Sequence, residues 1–332
     1  MGKPNEGAPR NAGPRCGAWE IAGATRTPTC GVAGRSTQIL RLRDGSFSDQ
    51  MPKETLKGKI RRILGTETRD QLKDLILFDH SQSLKANHPN PLNRAGKKCF
   101  SSTDEDGITL EILRRVGKLD DGVFAEFGVG DGTENNTLIL AALGWKGFWV
   151  GGQELAVAYQ DGPHFTYEKA WITAENILAL SRTCLQRIGA SQVDVVSLDL
   201  DGNDIYLIEK LLTDGIRPKL FIVEYNAKFP PPVKFQIDYD PDHVWQDDDY
   251  FGASLSSFAA MFARFDYRLV CCNSHSGTNA FFVDGALSQH FTDVPTDISE
   301  LYVEPRYFLY SGRYSQHKTS PRTIAKILGP RT

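Results

Sequence analysis

The chain is 332 residues long, 40% hydrophobic and 24% charged, with a formal net charge of −3 and a pI near 6.2. That is enough apolar material for a substantial core in one large domain or two small ones. The charge excludes the broad basic field of a nucleic-acid or membrane-surface binder, and no apolar run reaches the ~18 residues of a membrane span. The first residues show no apolar h-region, so no secretory leader is expected and the cytoplasm is the expected location. Six cysteines, Cys16, Cys30, Cys99, Cys184, Cys271 and Cys272, are scattered without a C-x-x-C pair. They read as reduced thiols used as small hydrophobes.

Residues 1–50 are rich in Gly, Pro, Arg, Ser and Thr and hold no lasting apolar period. They are expected to form a disordered N-terminal extension. A chain starting at Met51 should therefore match the full chain in melting temperature and ligand affinity, and a large drop on truncation would show that the segment packs on the domain. Residues 51–98 read as a helical N-terminal segment in two pieces. Leu56, Ile60, Ile63 and Leu64 form one stripe before Gly65; Thr68 then caps a second helix with Leu72, Leu75, Ile76 and Leu77 facing inward. A brace on the following domain is the favoured role, with a lid as the alternative.

Residues 99–285 alternate between strand and helix character. Expected strands are Val123–Phe127, Gly147–Val150, Ala170–Ile172, Val193–Leu200, Leu220–Tyr225, Tyr267–Cys272 and Ala280–Val283. Expected helices are Gly107–Val116, Thr133–Leu143, Ala174–Arg187, Asn203–Thr213 and Ala253–Arg264. This alternation predicts βαβ units and a doubly wound parallel α/β sheet. The short link Asn273–Thr278 leaves no room for a helix, so the last two strands must pair antiparallel. Residues 286–332 read as a C-terminal extension, in which Tyr302, Tyr307, Phe308, Tyr310 and Tyr314 suggest a packed segment.

The most telling stretch is Val123–Gly132, where an apolar run ends in Glu126 and is followed by Gly128, Gly130, Asp131 and Gly132. A buried strand, a glycine turn and a helix N-terminus would let backbone N–H groups approach a ligand closely. The spacing E-x-G-x-G-x-G is that of S-adenosylmethionine binding; the dinucleotide fingerprint places its third glycine one residue later. An acid at the strand end suits a ligand with a cationic amine. Asp199, Asp201 and Asp204 cluster at the expected end of the fourth strand, where open α/β sheets bind ligands. Strand alternation would put Asp199 and Asp201 on one side. Glu224 and Asn226 end the fifth strand and could orient a substrate hydroxyl, or hold Mg²⁺ with an aspartate. His275, in the hairpin link, could take a proton from an attacking hydroxyl. The acidic loop Asp238–Asp249 reads as solvated.

Four ordered blocks resemble the FkbM-like, S-adenosylmethionine-dependent methyltransferases. Cys99–Thr109 resembles that family's opening segment, Phe124–Thr137 its glycine turn, Gly144–Val150 its second strand, and Val196–Asp204 its acidic fourth-strand segment. The resemblance implies a seven-stranded class I methyltransferase (Rossmann-like) fold over residues 99–285, a bound S-adenosylmethionine, and O-methyl transfer to a hydroxyl of a sugar, glycan or related metabolite. It does not imply a metal. On this reading Glu126, Gly128, Gly130, Asp131, Gly132 and Asp199 contact the cofactor, Asn176 lies near the adenine, Asn226 touches substrate, and Asp201, Glu224 or His275 serves as base. The family's ribose-binding acid is replaced by Gly151, leaving Gln153 or Glu154 for that contact. This departure keeps open a non-catalytic binding protein on the same fold. An NAD(P)-dependent oxidoreductase is the more distant alternative.

Overall fold

The computed structural model describes residues 56–305 and 318–329, with backbone alone at 56–67, 69 and 70. The expectations for residues 1–50 and for Tyr307, Phe308, Tyr310 and Tyr314 fall outside that range. The N-terminal segment is one helix, α1 (Leu56–Asn87), which runs straight through Gly65 and Thr68. A single interior glycine costs a helix only about 1 kcal/mol against alanine, too little to force a break. The expected inward face is also corrected. Leu77 is buried, but Leu72, Leu75 and Ile76 are 56%, 65% and 44% exposed. The docked stripe is instead Leu77, Ser81, Leu84 and His88, spaced at three and four residues as one helix face requires.

A short 3₁₀ turn, Pro91–Ala95, follows, with Leu92 fully buried. Asn90 Nδ2 donates to Val270 O at 2.7 Å and Asn93 Nδ2 to Cys272 O at 2.8 Å. These amides cap carbonyls of the outermost strand, which would otherwise present an open edge.

The sheet is built from β1 (Val123–Phe127), β2 (Lys146–Gly151), β3 (Phe165–Lys169), β4 (Val195–Leu198), β5 (Leu220–Glu224), β6 (Tyr267–Cys272) and β7 (Asn279–Asp284). Their order is 3-2-1-4-5-7-6. The first five are parallel, and β7 inserts antiparallel between β5 and β6. This is the class I methyltransferase sheet, and the terminal antiparallel pair falls where the short link demanded it. Helix α2 (Glu105–Arg115) precedes the first strand, and α3 (Leu138–Ala142), α4 (Ile177–Arg187), α5 (Asp204–Thr213) and α6 (Leu255–Ala263) connect the strands. Two C-terminal helices follow, α7 (Ile298–Leu301) and α8 (Pro321–Leu328). Strand residues such as Phe124, Phe148, Val195, Phe221 and Phe282 are fully buried, each contributing roughly 1.5–3 kcal/mol. Among the described residues no helix is long and apolar enough to cross a membrane.

Two elements differ from expectation in ways that shape the site. The third strand is Phe165–Lys169, not Ala170–Ile172: Phe165, Thr166 and Tyr167 pair with Gly147, Phe148 and Trp149. Helix α3 starts only at Leu138, because residues 133–137 are held in a turn by side chains of the glycine segment.

Candidate functional site

The cleft lies beyond the carboxyl ends of β1 and β4, where the chain's progress across the sheet reverses direction. Such a switch point leaves a crevice between loops that diverge to opposite sides. Gly128 leaves β1 with φ +90°, its N–H donating to Val150 O at 2.9 Å. A Cβ there would lie 1.6 Å from the Asp199 carbonyl oxygen. The glycine turn thus presses directly on the end of β4. Gly130 has φ +54°, and a Cβ there would meet nothing within 4 Å. It faces open volume.

Glu126 lies beneath the turn, 6% exposed. Its carboxylate accepts from Asn136 N at 2.9 Å, Thr137 N at 3.0 Å and Thr137 Oγ1 at 2.5 Å. Both oxygens therefore accept hydrogen bonds inside the protein, and Glu126 braces the turn. Burial pushes the Glu126 pKa up even against these bonds. Asp131 is likewise a turn-former: its Oδ1 accepts from Thr133 N at 3.1 Å and Thr133 Oγ1 at 2.5 Å, which holds its pKa down.

Asp199, Asp201 and Glu224 gather at the ends of β4 and β5, each offering a carboxylate oxygen within 4.8 Å of the others. Strand alternation does not do this, because β4 stops at Leu198. The chain turns back through Asp201 at φ +52°, a conformation aspartate tolerates better than most residues. Asp204 pins the turn, accepting from Leu200 N at 2.8 Å and Gly202 N at 2.9 Å. Burial, then the charges of Asp201 and Asp204, push Asp199 up to about 8, although a hydrogen bond with Glu224 opposes the rise. Burial and the same neighbours raise Glu224 well above the usual carboxylate range. Burial lifts Asp204 to about 6. Carboxyls that titrate near neutrality in a cleft mark functional sites more often than scaffold.

At the ends of β2 and β3, Tyr167 occupies the ground beside Gly151. Its hydroxyl donates to Gly151 O at 3.0 Å and approaches Gln153 O at 2.5 Å. Glu154 is 83% exposed and pairs with Lys169 at 2.6 Å. Both line a cavity of about 470 Å³ with Leu155, Tyr159 and Tyr167. Gln153 is exposed. A larger cavity, about 1400 Å³ between α5, α6 and α8, contains none of the glycine-turn or cluster residues.

Three further residues expected at the site make hydrogen bonds within the protein. The Asn176 amide ties its own loop, accepting from Thr173 N at 2.8 Å and donating to Trp171 O at 2.8 Å. Asn226 is fully buried and donates to Asp249 O and Phe251 O, both at 3.0 Å. β5 ends at Glu224, so Asn226 does not continue its alternation. His275 is half-buried; its backbone N–H donates to Asp104 Oδ1 at 3.0 Å. Burial lowers its pKa, and the charges acting on it come from Lys85, Glu105, Lys98 and Asp74 rather than from the cluster.

Another histidine reaches the site. His243, in the acidic loop, lies over Gly202, where a Cβ would come within 2.6 Å of its ring. It hydrogen-bonds the Asp201 backbone, and burial lowers its pKa. The loop is held there by Asn203, whose Nδ2 donates to Asp240 O at 2.7 Å. The loop's charges therefore cover part of the cleft rather than only facing solvent. No spacing rule flags this histidine.

No family model matches the chain, and no curated protein does. Among solved structures, a putative S-adenosylmethionine-dependent methyltransferase from Listeria monocytogenes aligns at TM-score 0.32 and 13% identity, covering 52% of this chain and 95% of that one. A putative hemolysin from Streptococcus thermophilus aligns at 0.36 and 9%, covering 62% and 74%. The methyltransferase MycE, solved with Mg, SAH and mycinamycin VI, aligns at 0.29 and 13%. The match spans 53% of this chain and 45% of MycE. Alignments this weak carry no argument for this chain, and its fold class rests on its own strand order.

Proposed function

We propose that the chain is an S-adenosylmethionine-dependent methyltransferase acting on an oxygen nucleophile, with a hydroxyl of a sugar, glycan or related metabolite as acceptor. One observation carries the reading: Gly128 touches the Asp199 carbonyl while Gly130 faces open space, so the glycine turn packs against the strand end that carries the carboxylate cluster. The residues fit such a cofactor. The space at Gly130 is open, and the 470 Å³ cavity at the β2 and β3 ends is of ligand size. Gly128, Gly130 and Gly132 would hold the amino-acid part, and Glu154, Tyr159 and Tyr167 the nucleoside part. The cofactor supplies an activated methyl group.

The chain's own work is positioning and proton removal. Holding the acceptor in line supplies most of the acceleration. The Asp199–Glu224 pair is the proton acceptor: burial and the neighbouring carboxylates raise both groups above the usual carboxylate range, Asp199 to about 8. Asp201 faces the same acceptor. His243 steadies the Asp201 turn from above.

Titration calorimetry with S-adenosylmethionine, its demethylated product and NADH tests the assignment. Micromolar binding of the first two and none of NADH is expected; the reverse pattern would favour an oxidoreductase. Cofactor binding with no methyl transfer to any hydroxylated acceptor would favour a non-catalytic binder, the reading that the lost acid at Gly151 supports. Glu154 is the acid in reach of the nucleoside cavity once it leaves Lys169. Glu154→Ala is expected to weaken cofactor binding about tenfold or more, measured as Kd. Gly151→Asp is expected not to tighten it, since a Cβ there would lie 3.0 Å from Val129 Cγ2 and 3.4 Å from Tyr167 Oη.

A further inference from the structure

Residues 247–249 are three consecutive aspartates, a run that mutual repulsion should leave in water. Asp249 is instead fully buried. A buried carboxylate needs converging donors, and here they come from Lys228 and from the far end of the chain. Ser320 N donates to Asp249 Oδ1 at 2.8 Å and Thr323 Oγ1 to the same oxygen at 2.7 Å, while Lys228 Nζ binds Oδ2 at 2.6 Å. Burial acts to raise the Asp249 carboxyl, but these bonds hold it below the usual carboxylate range. The backbone joins as well: Asp248 bridges to Lys318, and Asp249 N donates to Lys318 O at 3.3 Å.

Helix α8 extends the attachment to both ends of the acidic loop. Arg322 and Lys326 are four residues apart and so share one helix face. Arg322 Nη2 reaches both oxygens of Asp248, at 3.1 and 3.2 Å, and its guanidinium lies 4.7 Å from the centre of the Tyr250 ring. Lys326 pairs with Asp238. Between those anchors the loop meets the rim of the cleft. Pro241 O accepts from Trp171 Nε1 at 2.8 Å and Tyr239 Oη from Ala174 N at 3.0 Å, and His243 lies over Gly202. No residue from 240 to 247 is buried, so polar bonds rather than apolar packing fix where the loop sits. Segments held in that way open at low cost.

We propose that Asp249 is a positioning residue and that residues 318–329 form a strap acting through it. The strap sets how closely residues 238–249 lie over Gly202 and the Asp201 turn, and so how fast a ligand enters and leaves the cleft. The inference rests on the methyltransferase reading only for the identity of that ligand, S-adenosylmethionine.

Hydrogen exchange read by mass spectrometry on the full chain, without ligand, tests the strap. Thr323→Val keeps the shape of the side chain and removes one donor to Asp249. Combined with Arg322→Gln, it should speed amide exchange across residues 238–249 at least about tenfold. Strands β1 and β4 should keep wild-type exchange. Thr323→Ser alone keeps the hydroxyl and should behave as wild type, whereas Asp249→Asn should loosen the loop as the double variant does. Unchanged loop exchange in the double variant or in Asp249→Asn overturns the proposal, whether or not residues 318–329 themselves loosen. An equal rise in β1 and β4 also overturns it, because the segment would then brace the whole fold. Stopped-flow mixing with S-adenosylmethionine reads the consequence: its dissociation rate should rise at least about threefold in the double variant. An unchanged rate beneath a loosened loop overturns the claim about ligand access. Failure of wild type to bind S-adenosylmethionine counts against the methyltransferase reading alone, and the exchange result stands without it.

Discussion

Gly128→Ala is expected to yield little folded protein, whereas Gly130→Val is expected to fold and to lose its cofactor. The two positions are two residues apart and share positive φ, so conformational strain does not separate them; their surroundings do. At Gly128 the added Cβ would meet the Asp199 backbone at 1.6 Å, and no side-chain rotation relieves a backbone clash. Either β1 or the end of β4 must move, in the middle of the sheet. The cost should exceed about 4 kcal/mol, a large share of the roughly 5–15 kcal/mol that stabilises a domain. At Gly130 nothing lies within 4 Å of the added carbon. Valine there costs the backbone about 1–3 kcal/mol and projects into the cleft. Circular dichroism and thermal melts should separate the two variants. Calorimetry on Gly130→Val should show S-adenosylmethionine affinity down at least about a hundredfold, near 2.7 kcal/mol. Wild-type affinity in that variant would place the cofactor elsewhere.

The second large effect is a loss of stability with rising pH. A carboxyl whose folded pKa is raised contributes stability that is fully present below its unfolded value and disappears as pH climbs through the folded value. Asp199 is displaced from 3.8 to about 8 and Asp204 to about 6, with Glu224 raised as well. The window therefore runs from about pH 4 to about pH 8. The protein should melt at least about 3 °C lower at about pH 9 than at about pH 6. Asp199→Asn, which removes one charge and relieves Glu224, should flatten that slope and melt higher than wild type at the alkaline end. A wild-type melting curve that rises over this range would mean that the cluster is ionised and already compensated in the folded state.

The fold class was readable from the chain because each of its signals is local. Continuous apolar runs such as Leu220–Val223 mark strands buried on both faces, and the short link Asn273–Thr278 forbids a crossover. Gly128 and Gly130 were conspicuous because positive φ is a property of the residue type as much as of the fold. Local reasoning failed where a competing contact won. Thr133–Thr137 has helical character, yet Glu126 and Asp131 hold it as a turn. Leu72, Leu75 and Ile76 have helical spacing, but α1 docks through a neighbouring stripe.

The site divides along the same line. The sequence by itself determined that acids end the fourth and fifth strands and that a glycine turn ends the first. Only the tertiary structure decided which of them meet. Strand order 3-2-1-4-5-7-6 sets β4 beside β1 and β7 beside β5, bringing Asp199 against Gly128 and Asn279 beside Glu224 from far along the chain. The same order leaves His275 among the charges of α1 and α2 and carries His243, with no motif of its own, over Gly202. Alternation along a strand predicts the face of a side chain only while the strand lasts. Asp201 and Asn226 lie just past their strand ends, and there the turn geometry and the loops packed above them determine direction.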